Sequence, residues 1–369
     1  MTVRRVGIMT GGGDCPGLNA VIRAAVKVGT SRYGWEVLGI EDAFWGLMDL
    51  EYRSPNGNQW LQGRNVRDIL SRGGTILGTS NRANPFRFPT ERGGKTVEED
   101  ISDRVMENFR KLGLDALISI GGDGSMGIAQ RFHEKGMPVV GVPKTIDNDL
   151  AATNVTFGYN TAVQVASEAL DRIRDTAESH DRVMLVEVMG RDAGWIALEA
   201  GLSGGAHVIV IPEIPYHLAP IAKHIRDRAA GGEPFSVIVV AEGAQAAGGD
   251  VSAIEAQPGA MRRLMGAAAR LAAGLTEHLD TSDLRVTVLG HLQRGGSPSG
   301  FDRILATRFG HHAAELVAQE RFGMMVALKT PDIVAVPISE AVGRPNRVDP
   351  KGQLVETARA LGVVFGNEV

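Results

Sequence analysis

The stretch VRRVGIMTGGGDCPGLNAVIRAAVKVG, residues 3–29, decides the fold class of this chain. Its first part, Val3–Thr10, is short and apolar and contains several β-branched residues, as expected of a β-strand. Three glycines follow, and apolar residues then recur with helical spacing over Leu18–Gly29. A strand that passes through a glycine-rich turn into a helix is typical of α/β folds, in which ligands bind where the strands end.

The same alternation of strand and helix continues along the chain. The predicted strands are Val3–Thr10, Trp35–Ile40, Leu114–Ile120, Pro138–Val142, Val183–Val188, His207–Ile211, Phe235–Ala241 and Arg285–Leu289. The predicted helices are Leu18–Gly29, Glu98–Lys111, Ser125–Lys135, Thr161–Thr176, Leu218–Ala229, Met261–Glu277 and Asp302–Ala318. Because Val and Ile dominate the strands with little polar alternation, we expect parallel sheets covered on both faces. Segment 83–97 has Pro, Gly and charge without an apolar period, and we interpret it as a surface loop.

Length, charge and cysteine content exclude several classes of protein. A chain of 369 residues is expected to form two or three domains, each able to bury a core. With 39 basic and 43 acidic side chains the net charge is −4, which argues against bulk nucleic-acid binding. Cys15 is the only cysteine, so no intrachain disulfide or thiolate metal cluster can form, and we expect a cytoplasmic protein. Apolar runs are too short for a membrane span, and the N-terminus lacks the pattern of a signal peptide.

Two glycine-rich loops follow predicted strands and suit phosphate binding. Thr10–Asn19 reads TGGGDCPGLN, and Ile120–Gly127 reads IGGDGSMG. Because glycine has no Cβ, backbone N–H groups in such loops can approach an anion closely. In the second loop Asp123 is a candidate magnesium ligand, and Ser125 could contact phosphate or cap the helix. Either loop alone is also compatible with a tight strand–helix turn.

Three further polar segments come at or near strand ends. PKTIDND, 143–149, carries Asp147 and Asp149, whose mutual repulsion favours a metal or proton-transfer role over simple capping. EVMGRDAGW, 187–195, places Arg191 after a strand, and a guanidinium suits phosphoryl oxygens. GHLQRGGSPSGFDR, 290–303, places His291 and Arg294 before two glycines, an arrangement that suits an anion.

The five segments in this order resemble the motif set of the 6-phosphofructokinases. The resemblance covers residues 6 to about 310 and is specific as a combination, whereas GGDG alone also occurs in NAD kinases and lipid kinases. It implies an α/β fold of two similar three-layer domains with largely parallel sheets and the active site in the cleft between them. A larger nucleotide-binding domain would comprise residues 1–157 plus 292–325, and a smaller fructose 6-phosphate-binding domain residues 158–291 plus 326–369.

The resemblance also implies roles for single residues. Asp147 would be the general base for the 1-hydroxyl of the sugar, with Thr145 beside it, and Arg191 would steady the transferring phosphoryl group. The nucleotide would be bound by Gly12, Arg82 (in LGTSNR), Gly122, Asp123, Gly124 and Ser125, with Asp123 associated with Mg²⁺. The sugar phosphate would be bound by Thr145, Asp147, Arg191, Met189, Gly190, Glu242, His291 and Arg294, and by Arg182 and Arg285 from a neighbouring subunit. A homodimer or homotetramer with shared sites follows from the last two.

Two departures from the family pattern bear on the phosphoryl donor and on regulation. ATP-using members usually have Gly at the positions of Gly124 and Lys144, and pyrophosphate-using members have Asp and Lys. Gly124 leaves the α-phosphate position open, and Lys144 is long and flexible and can turn away from the nucleotide, so the mixed pair favours ATP. In the region of the bacterial effector pocket, Arg23 and Arg174 are kept. However, His207 replaces a Glu and segment 231–235 lacks the family's basic cluster.

The leading interpretation is an ATP-dependent 6-phosphofructokinase with fructose 6-phosphate and ATP as substrates and Mg²⁺ as cofactor. The alternative within the same fold is the pyrophosphate-dependent enzyme. A non-catalytic sugar-phosphate sensor is a third hypothesis, against which the presence of Asp147 and Arg191 argues. A NAD or lipid kinase would leave PKTIDND and GHLQRGGSPS unexplained. Neither a nucleic acid nor a membrane is expected as a partner.

Overall fold

The amino-terminal segment forms the predicted strand–turn–helix unit. The computed structural model of the chain describes residues 3–52, 57–249, 253–254, 263–264, 266–279 and 283–368. Strand β1 spans Arg5–Thr10, and helix α1 spans Leu18–Arg32. Gly17 precedes α1 with φ 109°, a left-handed conformation that a residue with a Cβ adopts only under strain. The glycine-rich turn therefore delivers the chain from the end of β1 directly into the helix.

Further strands and helices alternate along the chain. The strands are β2 (Glu36–Ile40), β3 (Gln59–Leu61), β4 (Phe88–Arg92), β5 (Lys95–Glu99), β6 (Ala116–Gly121), β7 (Val139–Pro143), β8 (Val183–Val188), β9 (Val208–Val210), β10 (Ser236–Ala241), β11 (Ala253–Ile254), β12 (Arg263–Leu264), β13 (Leu284–Val288), β14 (Met324–Lys329) and β15 (Asp332–Pro337). The helices are α2 (Trp45–Met48), α3 (Ser102–Lys111), α4 (Asp123–Glu134), α5 (Tyr159–Ser179), α6 (Trp195–Ser203), α7 (Leu218–Ala230), α8 (Ala267–Thr276), α9 (Gly300–Ala318), α10 (Ile338–Ala341) and α11 (Gln353–Ala360), with a 3₁₀ helix at Gly290–Arg294. Part of the predicted helix 261–277 falls on residues 261, 262 and 265, which lie outside the described residues.

Two main sheets carry the fold. The larger has seven strands in the order β15-β14-β7-β6-β1-β2-β3, parallel except for β3 and β15 at its two edges. The smaller has four parallel strands in the order β13-β8-β10-β9. Strands β6, β7, β8 and β10 are buried at every residue, as continuous apolar runs predict, whereas β13 is partly exposed. The predicted mixed α/β class with largely parallel sheets is confirmed.

Segment 83–97 is not the featureless surface loop that its composition predicted. It contains most of an antiparallel hairpin, in which β4 pairs with β5 around a turn at Gly93 and Gly94. Both glycines have positive φ, 59° and 75°, the backbone that a two-residue hairpin turn requires. The ring of Phe88 packs edge-on against Trp45 at 5.4 Å between centroids, which anchors the hairpin to the larger sheet's helix α2. The hairpin also takes up the start of the predicted helix 98–111, which begins at Ser102 instead.

One part of the predicted domain division is wrong. Residues 326–337 were expected in the smaller domain, but β14 hydrogen-bonds to β7 and β15 to β14, which places both strands in the larger sheet. The reason is a long-range parallel pairing, with Met324 opposite Val140, that no local sequence pattern predicts. Near the C-terminus, Val364 bridges to Val208 of the smaller sheet. The other domain boundaries stay a prediction.

The carboxyl ends of the parallel strands of both sheets face a common cleft, which the loops after β1, β6, β7, β8 and β10 line. This is the edge at which open α/β sheets bind ligands. Among the described helices, none has the length and apolar character needed to cross a bilayer.

Candidate active site

The cleft has a volume of about 1000 Å³ and brings together most of the residues that the sequence singled out. The predicted site residues that line it are Gly12, Arg82, Gly122, Asp123, Gly124, Ser125, Lys144, Thr145, Asp147, Met189, Arg191, Glu242, His291 and Arg294. The residues from Gly12 to Asp147 follow strands β1, β6 and β7 of the larger sheet. The exception is Arg82, which lies in the loop before the β4–β5 hairpin. The rest follow strands of the smaller sheet.

The glycine loop after β1 is held by contacts to neighbouring loops. The Gly12 N–H donates to the Ser80 carbonyl at 3.2 Å, and the Thr79 hydroxyl donates to the Gly12 carbonyl at 2.6 Å. A Cβ on Gly13 would lie 2.8 Å from Nη1 of Arg294, closer than real Cβ atoms come. The absence of a side chain at residue 13 therefore lets the loop and the Arg294 guanidinium approach each other.

Helix α4 begins at the cleft and presents Asp123. This carboxylate is exposed and accepts a hydrogen bond from the Gly343 N–H at 2.7 Å. Next to it, a Cβ on Gly124 would meet no atom within 4 Å, so this position is open toward the cleft. Within the described residues there is no cluster of three or more His, Cys, Asp or Glu side chains able to hold a metal by themselves.

Asp147 is the most perturbed carboxylate of the loop after β7. Burial, reinforced by the neighbouring charge of Asp149, raises its pKa to about 6, and the cations of Arg294 and Lys144 oppose that rise. Its Oδ1 is buried and has no hydrogen-bond partner in the described part of the chain. A buried carboxylate oxygen that is left unpaired at a cleft is suited to accept a proton from a bound ligand.

The turn that follows Asp147 has an unusual backbone. Asn148 adopts φ 52°, and its side-chain oxygen accepts from the Thr156 N–H at 3.1 Å. The Thr156 hydroxyl in turn donates to the Thr145 carbonyl at 2.7 Å. Burial also raises the pKa of Asp149, and a hydrogen bond from the Thr145 hydroxyl partly opposes that rise. The loop thus holds two carboxylates in a fixed, partly desolvated arrangement.

Lys144 is not the flexible side chain that its sequence suggested. Lys144 is only 4% exposed, and its ammonium group donates a hydrogen bond to the Gly13 carbonyl. Burial lowers the pKa of this lysine, while the Asp147 and Asp149 carboxylates favour its charge. The stem crosses between the loops after β7 and β1, so Lys144 ties these two loops together.

The smaller sheet supplies Arg191 and Glu242. The Arg191 Nε lies 3.8 Å from Oδ2 of Asp192, a carboxylate that also faces the cleft. Burial raises the pKa of Glu242 to about 7, with the charge of Asp147 as the next cause. On the 3₁₀ helix, Arg294 donates to the Asp14 carbonyl at 3.1 Å, which joins this helix to the loop after β1.

Three of the predicted site residues do not line the cleft of this chain. Arg182 and Arg285 both pair with Asp283, at 3.1 Å and 2.5 Å between nitrogen and carboxylate oxygen. Gly190 has φ 133°, and its carbonyl accepts from the Gly243 N–H at 3.1 Å, so it shapes the turn between Met189 and Arg191. The two arginines remain candidates only for a site that another subunit shares.

Sequence reasoning missed several cleft residues. Ser80, Asn81 and Asn84 flank Arg82, Ala43 and Phe44 follow β2, and Glu187 and Asp192 flank the Arg191 turn. Position beside a predicted site residue was the available signal for most of them. Ala43 and Phe44 gave no such signal, because two adjacent apolar residues normally indicate a position in the hydrophobic core.

At the positions that the resemblance assigns to an effector pocket, His207 and its neighbours pack against one another. The His207 ring packs edge-on against Phe235 at 5.5 Å, and Nδ1 of His207 accepts from the Val237 N–H. Burial lowers the pKa of His207 to about 4, so the ring is neutral at physiological pH. The Arg174 guanidinium lies over the same phenyl ring at 5.6 Å.

Comparison with known proteins shows the family of this chain. The phosphofructokinase family model matches residues 5–317. The chain belongs to the phosphofructokinase family. It is 51% identical over 368 residues to the ATP-dependent 6-phosphofructokinase of Chloroflexus aggregans, covering 99% of each chain. It is 47% identical over 369 residues to ATP-dependent 6-phosphofructokinase 2 of Clostridium perfringens, again covering 99% of each.

A solved structure supports the same assignment. The phosphofructokinase of Saccharomyces cerevisiae matches with a TM-score of 0.76 and 31% identity over 91% of this chain, which spans 45% of the length of the yeast chain. The predicted family and its α/β architecture are therefore confirmed. The roles of single residues in this phosphofructokinase cleft stay predictions.

Proposed function

We propose that this chain transfers the γ-phosphoryl group of ATP to the 1-hydroxyl of D-fructose 6-phosphate, giving fructose 1,6-bisphosphate and ADP in glycolysis. The observation that carries the proposal is the Asp147 carboxylate, buried at the cleft with Oδ1 unpaired and its pKa raised. A sugar hydroxyl placed against Oδ1 would supply the missing hydrogen bond. The relatives' names, which state ATP-dependent 6-phosphofructokinase, agree with this activity.

In the proposed step the 1-hydroxyl oxygen attacks the γ-phosphorus. A new P–O bond forms, the bond between the γ-phosphorus and the bridging oxygen breaks, and ADP leaves with that electron pair. The hydroxyl proton passes to Asp147. Arg191 spreads the charge on the transferring oxygens, so the protein contributes alignment and electrostatic stabilisation rather than covalent chemistry.

The nucleotide is assigned to the larger-domain side of the cleft. Backbone N–H groups at the start of α4 suit its phosphates, with Gly122, Ser125 and Arg82 as the proposed contacts. Gly12, whose N–H already donates to the Ser80 carbonyl, would lie against the nucleotide without donating to it. The open space around the Cβ position of Gly124 supports ATP, because a side chain there would occupy room beside the phosphates. The buried Lys144 is the observation that keeps pyrophosphate as the second candidate donor.

Asp123 is the proposed magnesium residue. A single exposed carboxylate at the cleft fits Mg²⁺, which proteins usually hold through one or two carboxylates, waters and the phosphates of the substrate. When bound, the ion would neutralise charge on the phosphates of the nucleotide. Asp123 would hold it from the start of α4, where the Gly343 N–H fixes the carboxylate.

The sugar phosphate is assigned to the smaller-domain side. Met189, Gly190, Glu242, His291 and Arg294 would hold it there, with Thr145 beside Asp147. We propose that Arg182 and Arg285 complete the 6-phosphate site of a neighbouring subunit in a homodimer or homotetramer. Apolar side chains left exposed between residues 286 and 304 support such an interface: Val286, Val288, Leu292, Phe301 and Ile304. We further propose a cytoplasmic location, where a single buried thiol needs no disulfide partner.

A coupled assay for fructose 1,6-bisphosphate with ATP or pyrophosphate as donor tests the proposal. We expect rapid turnover with ATP and little with pyrophosphate. Gly124→Asp should abolish ATP use without lowering Tm, because the new Cβ meets no protein atom but the carboxylate repels phosphate. Gly63→Asp is the control, because Gly63 is exposed outside the cleft, has no positive φ and would also place its Cβ in open space. Turnover with pyrophosphate alone would overturn the choice of donor, and no turnover with either would overturn the proposal.

A further inference from the structure

A short segment near the C-terminus touches the loops that carry Asp123, Asp147 and Arg191. Residues 343–348, GRPNRV, are here called the strap. The strap follows α10, whose preceding strand β15 belongs to the larger sheet, and it leads toward α11 and the bridge from Val364 to the smaller sheet. It is therefore a covalent connection between the two halves of the cleft.

On the larger side the strap binds the loops that carry Asp123 and Asp147. At its start, the Gly343 N–H donates to the Asp123 carboxylate at 2.7 Å. The Asn346 side-chain amide donates to the Asn148 carbonyl at 2.9 Å, and the Asn346 N–H donates to the Asp149 carbonyl at 2.8 Å. Two consecutive carbonyls of the turn after Asp147 are thus held by one residue.

On the smaller side the same residue accepts a bond from the segment that carries Arg191. The Trp195 indole N–H donates to the Asn346 carbonyl at 2.9 Å. Two residues further, the Val348 N–H donates to Glu213 at 2.9 Å, and Glu213 also accepts from the Gly194 N–H at 3.0 Å. Gly194 and Trp195 lead from Arg191 into α6.

We propose that Asn346 is a positioning residue that fixes the Asp147 turn relative to the Arg191 loop. The inference rests on the proposed function, in which these two groups act on one phosphoryl transfer. Asn148 has a left-handed backbone, φ 52°, so its carbonyl direction depends on partners that hold the turn. The Asn148 side chain is hydrogen-bonded to Thr156, and the Asn346 amide of the strap holds the Asn148 carbonyl. A small displacement between base and phosphoryl-stabilising groups costs turnover rather than binding.

The test is Asn346→Ala in the full chain, with the ATP assay run over a range of pH. We expect kcat to fall at least tenfold while KM for fructose 6-phosphate and ATP changes less than threefold. We also expect the acidic limb of the kcat profile to move to lower pH. The reason is that a loosened turn admits water to Asp147, whose pKa is raised mainly by burial. The charged and titratable groups around Asp147 are Asp149, Asp192, Lys144, Arg294 and Glu242. The position of that limb does not depend on how much of the sample is folded.

Asn108→Ala is the matched control, because it deletes a side-chain amide that donates to the Leu47 carbonyl at 2.8 Å, away from the cleft. It should lower Tm and leave both KM and the pH profile unchanged. If Asn346→Ala behaves like Asn108→Ala, Asn346 is structural only and the proposal is overturned. Should Asn346→Ala not fold, Trp195→Phe removes the indole donor and keeps an aromatic ring, and native kcat with a native acidic limb would overturn the proposal equally. An inactive native chain would instead mean that the proposed function has failed.

Discussion

At the residue scale, the charge state of Asp147 links activity to stability. Its pKa of about 6 lies above the ordinary aspartate value, so ionisation is disfavoured in the folded protein. A carboxyl with a raised folded-state pKa stabilises the fold below its unfolded-state pKa, and this stability is lost as the pH rises through about 6. The base, however, works only when ionised. The ionised form of Asp147, which catalysis requires, is therefore the form that stabilises the fold least.

Asp147→Asn should separate the two effects. We expect kcat to fall by roughly 10²–10⁴-fold with little change in KM for fructose 6-phosphate. At pH 8 we expect Tm to rise by roughly 2–5 °C, because the buried charge is gone, and the gap should narrow toward pH 5. Thermal unfolding at both pH values and the coupled assay measure this, with the exposed Asp171→Asn as control. Near-native kcat would remove Asp147 from the mechanism.

Lys144 acts on the same carboxylate. Its ammonium is one of the two cations that lower the pKa of Asp147, and it holds the Gly13 carbonyl. Lys144→Met keeps most of the side-chain volume and removes the charge. We expect the acidic limb of the kcat profile to move to higher pH and KM for ATP to rise by roughly tenfold, because the glycine loop loses its tie. Lys351→Met, on the exposed C-terminal segment, should change neither value. An unshifted limb would show that the two groups are not coupled.

At the element scale, a buried glutamate on one strand holds the start of a helix. Glu187 on β8 is 3% exposed, and its carboxylate accepts from the Gly266 and Ala268 N–H groups at the start of α8, at 3.2 Å and 2.9 Å. These N–H groups have no partner within the helix itself, so the carboxylate acts as a cap supplied from another element.

Glu187→Ala should therefore weaken α8 selectively. We expect the free energy of unfolding to fall by about 2 kcal/mol, because two buried donors lose their acceptor. Hydrogen exchange of the α8 amides, residues 267–276, should speed up more than that of α5. Urea unfolding and exchange measured by mass spectrometry give both numbers, with the exposed Glu178→Ala as reference. Equal exchange in both helices would mean that the cap does not stabilise α8.

Elements were predictable wherever one local pattern was enough. Strands β6, β8 and β10 carry continuous apolar runs, and the structure has them within a few residues of their predicted bounds. The hairpin of β4 and β5 was missed because its residues are exposed, so no apolar alternation marks it. The Gly93–Gly94 pair is typical of a two-residue hairpin turn and could have indicated the hairpin, but the composition of the segment favoured a loop.

At the scale of the whole molecule, the two arginines paired with Asp283 decide whether the site needs a second chain. Mixing Arg182→Ala with Asp147→Asn should restore activity after subunit exchange. Some sites in the hybrid oligomer would then take an intact Arg182 from one chain and an intact Asp147 from the other. Each variant alone should be nearly inactive. Co-purification of one variant through an affinity tag carried only by the other confirms exchange, and a fully exchanged mixture without recovered activity would show that sites are not shared.

The family, the α/β class and the loops that meet at the cleft could all be read from the amino-acid sequence. This was possible because parallel strands end at a common edge, so a polar motif after each strand is already placed. Three features became visible only in the folded chain: the burial of Lys144 against Gly13, the pairing of β14 with β7, and the strap that binds Asn148 and Trp195. These contacts join residues far apart in the chain. Local pattern carries no information about such partners, because their free energy arises only when packing brings them together.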